Sequence, residues 1–184
     1  IQNLFNQAQV SAVIFSGSKR EQIINISKRV DFIEHYIDMD AEESHDNFTA
    51  FRALMAKGRE LLESGNKDFV NAEIDEEAMH ILLFTSATTD KPKGVMLSHR
   101  NICTNLMAMV SMTIITENDT FLSVLPMHHT YECTCGFLCP LYRGSTVAFC
   151  EGLRHIAKNL KESKATMMLG VPLIFEAMYR RIWE

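Results

Sequence analysis

Ile81-Leu82-Leu83-Phe84, followed at once by Thr85-Ser86-Ala87-Thr88-Thr89-Asp90-Lys91-Pro92-Lys93-Gly94-Val95, is the stretch on which the fold of this chain turns. Four apolar residues in a row suit a buried strand, which needs no alternation with polar residues. The segment after it changes character abruptly. Thr85, Ser86, Thr88 and Thr89 carry hydroxyls, and Lys91 and Lys93 carry ammonium groups, all within nine residues. Hydroxyls and backbone N–H groups donate to phosphate oxygens, and a lysine offsets their charge. The same composition also suits a plain solvated connection between two strands. A Walker loop is excluded, because the order Gly-Lys-Ser/Thr is absent.

Outward from this loop the pattern repeats. Gly94 to Leu97 reads as a return strand, and Ser98 is placed to cap a helix over Asn101 to Met112. Upstream, residues 1–9 suit a short helix. Ser11 to Ser16 reads as a buried strand closed by Gly17. Lys19 to Arg29 reads as a helix or a helix-to-strand passage, and Asp31 to Asp38 holds a second strand. Asn47 to Ser64 places Phe48, Phe51, Leu54, Met55, Leu61 and Leu62 on recurring turns of a helix. Downstream, Phe121 to Leu125, Ser145 to Phe149 and Thr166 to Leu169 are short strands. Gly136 to Leu141 and His155 to Lys164 are helical, and Pro172 opens a last helix. Strands alternating with helices predict an α/β fold, with a mainly parallel sheet and helices on both faces.

The chain has 184 residues with 47% hydrophobic residues, enough for a core of its own. A net charge of -5 without a basic cluster gives nucleic acid no surface to bind. No run of about 18 apolar residues stands in the sequence, so no transmembrane helix is expected. Cys103, Cys133, Cys135, Cys139 and Cys150 are odd in number and crowded, which fits a reducing cytoplasm better than a secreted disulfide framework. His128 and His129 beside Cys133, Cys135 and Cys139 lack the paired Cys-x2-Cys spacing, so no metal site is expected. Both ends fall inside helical patterns, which predicts a single partial domain over residues 1–184.

The loop resembles the phosphate-binding signature of the adenylate-forming (AMP-binding) superfamily, Thr-Ser-Gly-Thr-Thr-Gly-x-Pro-Lys-Gly-Val. Thr85, Ser86, Thr88, Thr89, Pro92, Lys93, Gly94 and Val95 match it, and Met96 to Asn101 fit the usual continuation. Ala87 and Asp90 depart from it, standing where the family has glycine. Glycine allows φ > 0 and close approach to phosphate, whereas alanine resists that conformation by roughly 1 kcal/mol. The segment Leu125-Pro126-Met127-His128-His129-Thr130-Tyr131-Glu132 resembles the Leu-Pro-x-x-His-x-x-Glu form of long-chain acyl-CoA synthetases. Gly170-Val171-Pro172-Leu173 resembles the strand end beside the acyl site.

The resemblance implies a portion of the large N-terminal domain of a fatty acid–CoA ligase. The C-terminal domain would be absent. So would the Tyr-Gly-x-Thr-Glu segment that assists magnesium binding and the Thr-Gly-Asp segment that holds the ribose. The full-length parent would use ATP, Mg2+ and CoA to turn a fatty acid into an acyl-adenylate and then an acyl-CoA. Thr85, Ser86, Thr88, Thr89, Lys93 and Gly94 would grip the terminal phosphates. His129 would stand by the reacting carboxylate, and Val171 and Pro172 would border the acyl chain. The isolated piece is expected to be inactive. The alternative is a homologue that has lost catalysis and keeps nucleotide or acyl binding.

Overall fold

The computed structural model describes residues 1–85 and 92–183. They form two compact units, Ile1–Asp75 with Met79–Met96, and Glu76–Ala78 with the chain from Leu97 onward. Among the described residues no helix is long and apolar enough to cross a membrane.

The first unit opens with α1 (Gln2–Ala8), β1 (Ala12–Phe15), α2 (Arg20–Ser27) and β2 (His35–Asp38). β3 (Phe48–Ala50) and α3 (Phe51–Glu63) follow. The three strands lie in the order β1-β2-β3, and both pairings are parallel, with Val13 opposite Tyr36 and Tyr36 opposite Phe48. Alternation along the strand sends Val13 and Phe15 into a core with Ile23 and Ile26 of α2, Ile33 and Tyr36. The opposite face is open, and Ile14 is 57% exposed. Among the described residues of this unit the parallel sheet is therefore covered on one face, not on two. At the end of β2, Asp38 is buried and accepts a 2.5 Å bond from Arg20 Nε. The Arg20 guanidinium holds the Asp38 carboxyl below the usual carboxylate range, and the backbone N–H groups of Asp40 and Ala41 act in the same direction.

β4 (Met79–Thr85) and β5 (Lys93–Ser98) form a separate two-stranded sheet. Ile81 to Phe84, expected to be buried, are half-buried. A two-stranded sheet gives each strand one neighbour and little cover.

In the second unit Ser98 caps α4 (His99–Met112). Its hydroxyl accepts from Asn101 N at 3.2 Å, and the Asn101 side chain accepts from Ser98 N at 2.9 Å. Arg100 N donates to the Glu76 carbonyl, and its guanidinium pairs with the Glu76 and Glu77 carboxylates. β6 (Thr120–Ser123) is the central strand of a parallel sheet ordered β7-β6-β8, with β7 at Thr146–Phe149 and β8 at Met167–Met168. Three further helices are α5 (Cys139–Tyr142), α6 (Ile156–Ser163) and α7 (Pro172–Trp183). Neighbouring residues of β6 serve opposite faces. Phe121 packs with Leu106, Met109 and Val110 of α4 and with Cys139. Leu122 packs with Ile156 and Leu160 of α6 and with Ile174 and Met178 of α7. Here the expected two-sided cover is present, and both β6 residues are at most 3% exposed.

Candidate active site

Two clusters of candidate residues stand in the two units, and each is built by its own sheet. In the first unit, Thr85 ends β4 and Lys93 begins β5, so both lie at the base of the hydroxyl-rich loop. Both are exposed. The Thr85 hydroxyl lies 3.5 Å from the Lys93 carbonyl, at the long limit of a hydrogen bond. Gly94 is a packing position. A Cβ there would lie 3.0 Å from Leu82 Cδ1 and 3.5 Å from Phe84 Cε1, so the small residue lets β5 lie against the side chains of β4. Ser86, Thr88 and Thr89 lie outside the described residues, as do Ala87, Asp90 and Lys91.

In the second unit the parallel sheet aims its carboxyl ends one way, and ligands of open α/β sheets gather at such ends. From β6 the chain runs through Val124, Leu125 and Pro126 to His129. His129 N donates to the Pro126 carbonyl at 2.9 Å, which closes a tight turn. The imidazole is exposed, and its Nδ1 accepts the Tyr131 backbone N–H at 3.3 Å. A nitrogen that accepts carries no proton, so the neutral ring presents Nε2–H as a donor. From the neighbouring β8 the chain runs through Leu169 and Gly170 to Val171 and Pro172. A Cβ on Gly170 would come within 2.9 Å of the Phe175 ring, so glycine lets the first turn of α7 fold back on the strand end. β6 and β8 pair in register at Phe121–Met167 and Leu122–Met168. The sheet thus brings the His129 turn and the Val171–Pro172 step to the same edge. Val171 and Pro172 are exposed there. An apolar hollow of ≈ 500 Å³ between α6 and α7 is lined by Leu153, Ile156, Leu173, Ile174, Met178 and Ile182 among others, and neither Val171 nor Pro172 lines it.

Glu132, which ends the Leu125–Glu132 segment, is a residue to which the sequence reading gave no role. Glu132 is wholly buried at the start of a π-helix over Glu132–Leu138. Its Oε1 accepts a 2.6 Å bond from the Ser123 hydroxyl at the end of β6. Gly136 makes room for it, since a Cβ there would lie 2.6 Å from Glu132 Oε1. The signals available in the sequence are the Leu-Pro-x-x-His-x-x-Glu form, which ends on Glu132, and the glycine four residues on at Gly136. Burial, and next to it the Glu132 carboxylate, push the Cys135 thiol up. Cys139 rises as well, first by burial. Both thiols are therefore poor nucleophiles and pack as small apolar groups. His128 is exposed and stands apart from these contacts.

Among the described residues no group of three or more His, Cys, Asp or Glu side chains is placed to hold a metal ion.

Thr85 and Lys93 stand on one small sheet, and the His129 turn stands at the carboxyl edge of another. The chain belongs to the AMP-binding enzyme family, whose description matches residues 1–182. It is 36% identical over 114 residues to human long-chain-fatty-acid–CoA ligase 1, a match covering 58% of this chain and 16% of that protein. It is 23% identical over 187 residues to fatty acyl-CoA synthetase B of Dictyostelium discoideum, covering 96% of this chain and 27% of the relative. The fold is that of MatB from Rhodopseudomonas palustris. The apo form of MatB superposes with a TM-score of 0.75 at 22% identity, covering 97% of this chain and 33% of MatB. Its ATP-bound form gives 0.71 at 21% identity, covering 96% and 32%. The chain therefore spans between about a sixth and about a third of the length of these proteins.

Proposed function

We propose that the full-length protein is an ATP-dependent ligase that activates a fatty carboxylic acid and passes it to CoA. The observation that carries this reading is the exposed placement of Thr85 and Lys93 at the two ends of the hydroxyl-rich loop, in a chain of the AMP-binding family. In the first half-reaction a carboxylate oxygen of the acid attacks the α-phosphorus of ATP. The bond from that phosphorus to the bridging oxygen breaks, and pyrophosphate leaves. In the second, the CoA thiolate attacks the acyl carbonyl and AMP departs with the electron pair of the mixed anhydride.

The chain's own residues have separate tasks in this scheme. Lys93 offsets the charge of the terminal phosphates, and the Thr85, Ser86, Thr88 and Thr89 hydroxyls donate to their oxygens. Gly94 lets the backbone approach. His129 Nε2–H donates to the negative charge that develops as the carboxylate and the phosphate join. Val171 and Pro172 border the acyl chain, whose burial contributes about 0.8 kcal/mol per methylene. The ligase reading accords with the two fatty-acid relatives named above, and the ATP-bound MatB accords with a nucleotide in this fold. A chain of this length has no catalytic turnover of its own in this scheme, because most of the relatives' length lies outside it.

ATP–pyrophosphate exchange by the full-length protein, run with fatty acids of several lengths, tests the reading. Acid-dependent exchange supports it. Ala87 and Asp90, standing where the family pattern has glycine, favour a second reading, a homologue that binds nucleotide without turning it over. That reading predicts ATP binding by calorimetry and no exchange with any acid.

A further inference from the structure

We propose that Glu132 is a positioning residue that acts through His129. The inference rests on the ligase reading above and extends it to the support beneath the histidine. Glu132 has no exposed surface, and a carboxylate in such a place needs a reason. Its Oε1 takes the Ser123 hydroxyl at 2.6 Å, while Oε2 has no hydrogen-bond partner among the described residues. Gly136 is kept free of a Cβ on its account. The side chain is thus accommodated by two other positions, although core packing alone would be served as well by leucine.

Its place in the chain indicates what it holds. The backbone on both sides of Glu132 is tied to His129. Tyr131 N donates to His129 Nδ1, and Cys133 N donates to the His129 carbonyl at 3.0 Å. Glu132 sits between those two donors and is pinned by its side chain to Ser123, the last residue of β6. One bond therefore fixes the His129 turn to the central strand. It also holds the Tyr131 N–H where it sets the ring with Nε2–H outward. Removing the bond leaves the turn to its own backbone contacts, and the imidazole loses a fixed tautomer and direction. The π-helix that Glu132 opens fits this use, since π turns in α-helical surroundings recur at functional sites.

The test is a double-mutant cycle in the full-length protein, read by fatty-acid-dependent ATP–pyrophosphate exchange. Glu132→Leu should lower kcat by about thirtyfold while the KM for ATP stays within about twofold. Glu132→Gln should recover kcat to within about threefold of the wild type, because the amide oxygen still accepts from Ser123 and the unpartnered Oε2 contributed no bond. Ser123→Ala keeps the carboxylate and covers the case in which the leucine variant does not fold. It should lower kcat by about tenfold. In a His129→Ala background all three substitutions should have no further effect, because a residue that acts through His129 has nothing left to position. Losses that add to that of His129→Ala, or a rise in the KM for ATP as large as the fall in kcat, overturn the inference and leave the ligase reading standing. Absence of exchange in the wild type removes both.

Discussion

Lys93 is the residue whose removal bears most directly on nucleotide binding. It is exposed at the start of β5 with its carbonyl beside the Thr85 hydroxyl. Lys93→Ala in the full-length protein should raise the KM for ATP about tenfold or more, the loss expected of one charge-assisted contact to phosphate, with the fold intact by circular dichroism. Ala87 and Asp90 work in the opposite direction. Replacing both with glycine should tighten ATP binding about fivefold in calorimetry, from the roughly 1 kcal/mol that alanine loses at φ > 0 and the removal of one carboxylate. Equal affinity in the double variant would show that these positions do not limit the loop. Gly136→Ala is a structural counterpart. Its new Cβ would meet Glu132 Oε1 at 2.6 Å, so a loss of about 1–3 kcal/mol in urea unfolding is expected. At this scale the sequence showed that Thr85 and Lys93 flank the loop, at the end of one strand and the start of the next. Glu132 stood in the His-x-x-Glu form without a role, since only its burial and its contacts with Ser123 and Gly136 show what it is tied to.

Elements are decided by local chemistry where a cap or a proline stands, and by pairing where neither does. Ser98 was readable as an N-cap, and α4 begins at His99 behind a full Ser98–Asn101 capping box. Ser98→Ala should cost about 1 kcal/mol of stability by denaturant unfolding. Pro172 likewise opens α7 as its type predicts. The stretch Phe48-Thr49-Ala50 read as part of a helix, because Phe48 and Phe51 are three residues apart. It is instead β3, paired in parallel with Tyr36 to Asp38, and α3 starts only at Phe51. Tertiary pairing there outweighs a weak local preference. The run from Glu132 to Leu138 is a π-helix ahead of α5 (Cys139–Tyr142), a hydrogen-bond pattern that apolar periodicity does not distinguish. The end of β2 carries a pH dependence. Asp38 is held below its ordinary pKa by Arg20, so its contribution to stability is present above pH about 4 and is lost as pH falls through the depressed value. Arg20 is half exposed, which keeps the effect modest. The urea midpoint of the wild type should therefore drop more between pH 6 and pH 3 than that of Asp38→Asn.

Across the whole chain, the alternation of strands and helices was enough to indicate an α/β fold with parallel pairing, and six of the eight strands pair in that sense. Their division among three small sheets in two units was not readable, because a strand's partners depend on crossovers that composition does not encode. Among the described residues two-sided cover appears around β6, where Phe121 and Leu122 each meet helices, while Ile14 of β1 faces outward. The proposed ligase reading assigns the triphosphate to the loop flanked by Thr85 and Lys93 and the carboxylate to the His129 turn. Fatty-acid-dependent ATP–pyrophosphate exchange by the full-length protein, compared with its Lys93→Ala and His129→Ala variants, tests that claim most directly. The account predicts exchange that requires both ATP and acid, a raised KM for ATP without Lys93, and a lowered kcat at little-changed KM for ATP without His129. Exchange that is absent with every acid, or that both substitutions leave untouched, would contradict it.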